Sequence, residues 1–336
     1  MSPHPLRRVG FVPFDPSRRN VLRAASSAAL VMATGAARAP LAAPRSRHGS
    51  GSWIIAADQA TRRVLLLDPT KAMTRSTPAP VWSWTPDESL ADLRPDLTWQ
   101  NVSEAKWCAS PDGPTILTCA SEGLAVALSS PGGSVYWAAS IPRANLHTME
   151  WLPGGNIAVS ASTAGWVRLY ASALGPRSGL YTEYALPGAH GLYLDPRSGL
   201  LWAVGDTDIV TLSAAGGSPL APQLTEIGRY PLPDTGGHDL APVAGDPDRL
   251  WVTTNAHVHQ FSIGDTAFVP YSEQSTVDRP QVKSIGDNPE TGQVLLVSPS
   301  TDNPCTWCTS TIELVNPHGE ETIQGSSLYK ARWALL

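Results

Sequence analysis

The chain has 336 residues, of which 42% are hydrophobic and 16% charged, and its formal net charge is −5 at pH 7. That length allows a large core, and the negative charge argues against a general nucleic-acid binder. No apolar run reaches the roughly 18 residues that a membrane-spanning helix needs, so we expect neither nucleic acid nor membrane as a partner.

Residues 1–45 predict a twin-arginine export signal followed by a disordered linker. The segment SRRNVL (17–22) places paired arginines before a weakly apolar stretch at 24–37. This arrangement resembles a twin-arginine signal, and a basic disordered tail is the alternative. We therefore expect an exported protein, located in the periplasm or outside the cell.

Six later stretches begin alike, with successive starts 43 to 48 residues apart. They are EAKWCASPDG from Glu104, HTMEWLPGGN from His147, HGLYLDPRSG from His190, HDLAPVAGDPDR from His238, KSIGDNPETG from Lys283 and KARWALL from Lys330. Most contain four short strand signals separated by Gly- and Pro-rich turns. A repeat of this length and content is typical of a β-propeller.

The two ends of residues 50–336 complete each other. Segments 53–57 and 63–68 look like second and third strands that lack a first strand. Residues 328–334 form a lone strand that matches 102–108, with Ala and Trp at the same offsets. The sequence thus predicts an all-β, six-bladed propeller in one domain, closed by the C-terminal strand joining the first blade. Seven blades, the alternative, would need strands that residues 69–101 do not obviously supply.

A polar ring follows from this architecture, because the first strand of each propeller blade lines the central channel. The residues predicted at the channel mouth are Glu104, His147, His190, His238, Lys283 and Lys330, and those predicted two positions deeper are Lys106, Met149, Leu192, Leu240, Ile285 and Arg332. A solvated channel without chemistry is the alternative. Three histidines at equivalent offsets favour a functional site.

Two chemistries suit this set. In one, His147, His190 and His238 bind a divalent metal such as zinc, manganese or iron, leaving positions open for water or substrate. In the other, the histidines act as base and acid while cations neutralise a substrate carboxylate. The predicted substrate-binding residues are Glu104, Lys106, Lys283, Lys330 and Arg332. Calcium could bind at Asp206-x-Asp208, although a self-capping turn is the favoured interpretation there.

Three segments carry a family resemblance: AHGLYLDPRSGLLWAVGD, HTMEWLPGGNIAVSAS and GGHDLAPVAGDPDRLWVTT. They resemble secreted bacterial and fungal propeller proteins of mostly unassigned function. More distantly, the chain is similar to propeller-fold polysaccharide lyases, including those that cleave between rhamnose and glucuronate. The resemblance implies an exported lyase that acts on a uronic-acid carbohydrate by β-elimination, with an acidic carbohydrate or another small anion as its ligand. A non-catalytic binding propeller and a metal-dependent hydrolase or lyase of another small molecule are the alternatives, and we expect a monomer.

Cysteine and tryptophan positions add three expectations. Cys305 and Cys308 have CxxC spacing between strand signals, which favours a structural disulfide over a redox or zinc site. Cys108 and Cys119 flank a turn and are expected on paired strands, with their pairing left open. Trp99 and Trp307 fall in predicted loops on the mouth side, where aromatic rings could stack on sugars.

Overall fold

The computed structural model describes residues 51–72, 79–111, 113–130 and 132–335. The predicted export signal and linker at 1–45 lie outside these residues, so they stay predictions. Within the part that is described, no helix is both long and apolar enough to cross a membrane.

The described residues form six antiparallel sheets of four strands each. In chain order the strands are β1 (Ser52–Asp58), β2 (Arg63–Leu67), β3 (Trp82–Trp84), β4 (Val102–Ser110), β5 (Gly113–Ala120), β6 (Leu124–Ser129), β7 (Val135–Ser140), β8 (Leu146–Trp151), β9 (Ile157–Ala161), β10 (Trp166–Tyr170), β11 (Tyr181–Ala185), β12 (Leu192–Leu194), β13 (Leu201–Val204), β14 (Asp208–Ser213), β15 (Thr225–Pro231), β16 (Asp239–Val243), β17 (Asp246–Thr253), β18 (Val258–Ser262), β19 (Ala267–Val269), β20 (Ser284–Asp287), β21 (Val294–Val297), β22 (Thr311–Val315), β23 (Gly319–Thr322) and β24 (Leu328–Leu335). The blades are β24-β1-β2-β3, β4–β7, β8–β11, β12–β15, β16–β19 and β20–β23. The prediction of six blades is confirmed.

Helices are short and lie in the connections. They are α1 (Pro69–Ala72), α2 (Pro95–Thr98) and α3 (Gln274–Val277), with 3₁₀ turns at Glu88–Leu93 and Ser172–Leu174. Of the described residues in 69–101, only β3 is a strand, and it completes the first blade. The seven-bladed alternative is therefore wrong.

The C-terminal strand closes the ring, as predicted. β24 pairs antiparallel with β1 along its whole length, from Ser52 opposite Leu335 to Asp58 opposite Leu328. Without β24, the inner edge of β1 would expose unpaired backbone N–H and C=O groups, which favour aggregation. Closure therefore protects a strand whose residues from Trp53 onward are buried.

Both faces of the inner strands are apolar because each blade packs between two others. In β1, Ile55 packs in a cluster with Ile116 of the second blade, whereas Ile54 packs in a cluster with Leu295 of the sixth. Both isoleucines are 0% exposed. The continuous apolar runs of the sequence, such as WIIAA, are thus explained by burial on two sides rather than one.

The register of the first strands corrects one sequence expectation. In β8, Leu146 pairs with Ala161 and Thr148 with Ser160, which leaves His147 as the extra residue of a bulge. Ser103 in β4 and Tyr329 in β24 occupy the same bulge position. Glu104 and Lys330, predicted to match the histidines, therefore lie one residue deeper.

The other three blades follow the register of the histidine. The backbone N–H groups of His190, His238 and Lys283 donate to the second-strand carbonyls of Val204, Thr253 and Val297. Two layers result. The mouth layer consists of Ser103, His147, His190, His238, Lys283 and Tyr329, and the second layer consists of Glu104, Thr148, Gly191, Asp239, Ser284 and Lys330.

Candidate functional site

Five side chains of the mouth layer touch in sequence around the channel. The His147 and His190 rings stack with centroids 3.9 Å apart, and His190 meets His238 edge-on at 5.1 Å. Lys283 Nζ lies 3.1 Å from His238 Nε2, and Tyr329 Oη lies 3.2 Å from His147 Nδ1. The structure thus brings the three predicted histidines and Lys283 together, with Tyr329 as an unpredicted neighbour.

Tyr329 was missed because a β-bulge adds a residue without changing the apolar pattern around it. Matching 328–334 with 102–108 was correct, but both segments were set one residue out of phase with the histidine units. The signal available in sequence was indirect: a polar aromatic residue directly precedes Lys330.

Beneath the mouth layer, four charged side chains form a buried network that we call the ion quartet: Glu104, Asp239, Lys330 and Arg332. Arg332 Nε and Nη2 each lie 2.8 Å from a Glu104 oxygen. Arg332 Nη2 and Nη1 also donate to the two Asp239 oxygens, at 2.7 and 3.1 Å. Lys330 Nζ donates to Asp239 Oδ1 at 3.1 Å. Asp239, which directly follows His238, was also missed.

The two carboxylates and two cations of the quartet pair with one another. Burial alone would raise the pKa values of Glu104 and Asp239, but Arg332 and Lys330 hold both below the usual carboxyl range. The Glu104, Asp239 and Lys330 side chains are 0% exposed. Two carboxylates and two cations therefore balance one another in this buried network below the mouth.

This pairing places the predicted substrate-binding residues at different depths of the channel. Glu104, Lys330 and Arg332 bond to one another and do not face the mouth. Lys106 lies further down, where it donates to Glu150 Oε2 at 3.0 Å and lines a separate 250 Å³ cavity together with Arg332. Of the five predicted binding residues, only Lys283 lies in the mouth layer.

A cavity of about 450 Å³ opens at the mouth. Its charged and titratable lining residues are Glu122, Arg143, His147, Lys283 and Tyr329. His190 and His238 stand beside it in the mouth layer but do not line it. A second cavity of about 540 Å³ adjoins it, and the two share Gln59, Asn101 and Trp307.

The three imidazoles are neutral at pH 7. Burial, followed by the proximity of His190 and Lys330, holds the pKa of His147 well below its usual value. Burial lowers the pKa of His190 to about 4, and burial together with Lys283 lowers that of His238 to about 2. Neutral imidazoles can accept a proton at physiological pH.

Lys283 is the cation of the mouth layer. Its ammonium contacts Gln281 Oε1 at 2.9 Å and His238 Nε2 at 3.1 Å, and within the described residues no carboxylate pairs with it. Burial and the charge of Lys330 lower the pKa of Lys283 to about 8. At neutral pH it is therefore a buried positive charge without a counterion from the described chain.

The histidine arrangement does not fit the predicted metal site. Among residues 51–72, 79–111, 113–130 and 132–335, no three His, Cys, Asp or Glu side chains are placed to share an ion. His190 Nδ1 lies 2.6 Å from the Gly188 carbonyl, to which it must donate, and this bond leaves Nε2 of His190 able to accept. His238 Nε2 is engaged by Asn255 and Lys283. At Asp206-x-Asp208, Asp208 accepts from the side chains of Thr207 and Arg229, and the self-capping turn stays a prediction.

The CxxC segment forms the predicted disulfide, Cys305–Cys308, in a loop beside the mouth. Trp307 within this loop is 49% exposed. Trp99, by contrast, is 3% exposed and donates from Nε1 to the Arg62 carbonyl, so the expectation that it stacks on sugars was wrong. Cys108 and Cys119 lie on the paired strands β4 and β5 as free thiols.

Residues 50–336 match the model of a family described as a family of unknown function (DUF6528). The chain belongs to this family. No curated protein matches the sequence.

Solved structures resemble this chain at low identity. A protein of unknown function from Bacteroides caccae is 11% identical, with a TM-score of 0.52, covering 84% of this chain and 99% of that one. A functionally unknown protein from Desulfotomaculum acetoxidans is 13% identical, with a TM-score of 0.48 and coverages of 82% and 85%. Virginiamycin B lyase from Staphylococcus aureus is 13% identical, with a TM-score of 0.46 and coverages of 67% and 86%. Identities this low bear on the fold alone.

Proposed function

We propose that the mouth cavity binds a uronic-acid carbohydrate and cleaves it by β-elimination. The observation that carries the proposal is that Lys283, His147 and Tyr329 line one cavity. These side chains supply a cation, a neutral imidazole and a phenol, which are the groups that such an elimination requires.

Lys283 would hold the carboxylate of the uronate. Its ammonium has no carboxylate partner among the described residues, and Arg143 adds a second cation to the cavity wall. A bound carboxylate would relieve the repulsion that Lys283 exerts on its surroundings. It would also withdraw electrons from the adjacent carbon, whose C–H bond would become more acidic on pairing with the ammonium.

His147 and Tyr329 would move the protons. With its proton on Nδ1, His147 donates to Tyr329 Oη across the 3.2 Å contact, which leaves Nε2 free to accept. Nε2 would take the proton from the carbon beside the carboxylate, and that electron pair would form the C=C bond as the β C–O bond breaks. The phenol would give its proton to the leaving oxygen, and His147 Nδ1 would then return a proton to the phenolate.

The ligand itself would tune the base. His147 is a weak base in the free protein because burial and nearby cations disfavour its protonated form. A carboxylate bound at Lys283 offsets part of that positive charge, so it would raise the pKa of the imidazole. His147 would thus become a stronger base only when an anionic ligand is bound.

The lyase test compares three variants on a panel of uronic-acid polysaccharides, followed by the ultraviolet absorbance of the unsaturated product. We expect His147→Ala and Tyr329→Phe each to lower the rate by about a hundredfold or more, the usual value of a positioned acid or base. His257→Ala is the matched control, because its side chain is 54% exposed and lies outside the mouth layer. No product from the unaltered protein on any polymer would refute the lyase.

Binding without chemistry is the second candidate, favoured by the weak basicity of His147 in the free protein. In that case glucuronate binds with the same affinity to the unaltered protein and to Tyr329→Phe, and no polymer is cleaved.

A metal-dependent reaction is tested by the metal content of the purified protein and of His190→Ala. Equal metal content in both would remove His190 as a ligand. Export by the twin-arginine route stays a prediction.

A further inference from the structure

The second cavity, of about 540 Å³, adjoins the mouth cavity but is lined by different types of side chain. Amide and hydroxyl side chains dominate it, including Asn303, Ser310, Gln324, Ser326 and Ser327, and the charged residue in its wall is Asp302. Among the described residues, no lysine, arginine or histidine lines it, whereas the mouth cavity is lined by Arg143, His147 and Lys283 and by one carboxylate, Glu122. One compartment therefore suits an anion, and the other suits an uncharged ligand rich in hydroxyl groups.

Trp307 stands between the two compartments. It lines both cavities, and 49% of its surface is exposed, which is unusual for the largest apolar side chain in a folded protein. Its Nε1 donates to Gln59 Oε1 at 3.0 Å, and Gln59 also borders both cavities. The ring is thus anchored at its polar edge while much of its apolar surface remains open to a ligand.

A disulfide and two hydrogen bonds fix the loop that carries Trp307. The Cys305–Cys308 disulfide encloses only two residues, of which Trp307 is one. Asn303 Nδ2 donates to the Ser326 carbonyl at 2.9 Å, and Asn303 Oδ1 accepts from Ser327 Oγ at 2.9 Å. A ring fixed in this way loses little conformational entropy on binding.

We propose that the two cavities form one cleft with two subsites, an acidic-sugar subsite at Lys283 and a neutral-sugar subsite beyond Trp307, with the indole as the stacking platform between them. The inference rests on the proposed function, because it takes the ligand at Lys283 to be a uronate. It adds the second subsite and the role of Trp307, because a neutral sugar joined to the uronate would lie beyond the indole.

Calorimetric titration of the full chain with three ligands tests this cleft. The ligands are glucuronate, a disaccharide of glucuronate linked through its anomeric carbon to a neutral hexose, and a disaccharide of two neutral hexoses. The mixed disaccharide carries no sugar at the carbon where elimination would occur, so it is not consumed. We expect it to bind about tenfold tighter than glucuronate, which corresponds to about 1.4 kcal/mol.

Trp307→Ala should remove that advantage, lowering the affinity for the mixed disaccharide about tenfold while changing glucuronate affinity less than about twofold. Trp307→Phe should restore part of it. Ile227→Ala is the matched control, because Ile227 is also an exposed apolar residue, at 59%, and lines neither cavity. Thermal melting of each variant identifies any loss of folding.

The outcomes separate the two proposals. If glucuronate binds through Lys283 but the mixed disaccharide binds no tighter, or if Trp307→Ala weakens both ligands equally, the two-subsite cleft is overturned and the acidic subsite stands. If glucuronate does not bind, or binds equally well to Lys283→Met, the proposed function fails and the cleft inference fails with it.

Discussion

At the scale of single residues, Lys283 carries the clearest trade-off between stability and binding. It is 5% exposed, and within the described residues its ammonium bonds to an amide oxygen and an imidazole rather than to a carboxylate. Burial and Lys330 lower its pKa from 10.5 to about 8, so the folded protein holds this proton less firmly than the unfolded chain does. The charge of Lys283 therefore opposes folding in full below about pH 8, and this cost disappears as the pH rises from about 8 to 10.5.

Lys283→Met should consequently stabilise the protein at pH 7 while abolishing carboxylate binding. One pKa unit corresponds to about 1.4 kcal/mol, so we expect a gain of about 1–3 kcal/mol in the free energy of unfolding, measured by urea denaturation. Lys106→Met is the matched control. Because Lys106 pairs with Glu150, its loss should destabilise instead. A less stable Lys283→Met protein would contradict the argument.

The affinity for glucuronate should fall as the pH rises through about 8, because Lys283 loses its proton there. Between about pH 5 and 7 the affinity should be nearly constant, since the lysine stays charged and the ligand carboxylate stays ionised. Calorimetric titration at a series of pH values checks this. An affinity that stays constant up to about pH 10 would show that another group holds the anion.

At the scale of elements, the ion quartet joins strands that are far apart in the sequence. Glu104 belongs to β4, Asp239 to β16, and Lys330 and Arg332 to β24. Their hydrogen bonds cross the channel and tie the closing strand to two other blades. β24 thus stabilises the closed ring in two ways: its backbone pairs with β1, and its Lys330 and Arg332 side chains form ion pairs in the channel.

Glu104→Gln should cost about 3–5 kcal/mol in the free energy of unfolding, because it leaves two buried cations with one carboxylate. Glu313→Gln is the control: Glu313 pairs with Arg279 where both side chains are about 30% exposed, and we expect about 1 kcal/mol or less. Chemical denaturation of the two variants at pH 7 gives the comparison. Equal costs would mean that the quartet contributes no more than a surface pair.

At the scale of the whole molecule, the polar channel makes stability depend on pH. The folded protein keeps the pKa values of His147, His190 and His238 below the 6.5 of an exposed histidine. As the pH falls below about 6.5, the unfolded chain takes up protons that the folded chain does not, so folding weakens. The lowered pKa values of Glu104 and Asp239 extend this loss below about pH 4.

We therefore expect the free energy of unfolding to fall by several kcal/mol between about pH 7 and 4.5. For His190 alone, the shift from 6.5 to about 4 corresponds to as much as about 3 kcal/mol in acid. His190→Gln should flatten the profile, measured by urea denaturation across the pH range. A flat profile in the unaltered protein would show that the histidines titrate normally.

Much of this architecture could be predicted from the spacing of the repeats. Short strands between turns at intervals of 43 to 48 residues indicate blades, and a C-terminal strand without partners predicts ring closure. The convergence of His147, His190, His238 and Lys283 followed from the same repeat, because equivalent positions in a closed ring face one axis. The depth of Glu104 and Lys330 was not predictable, since a bulge shifts a strand by one residue without altering its composition.

By itself, then, the sequence determined the number of blades, the closing strand and the histidines that meet at the channel, because these depend on periodicity. The tertiary structure alone decided which charges pair. Asp239 and Glu104 lie 135 residues apart in the chain, and only closure of the ring brings both to Arg332. Charge pairing depends on three-dimensional distance, which no repeat encodes. Only the structure therefore shows that Lys283 has no carboxylate partner within the described part of the chain.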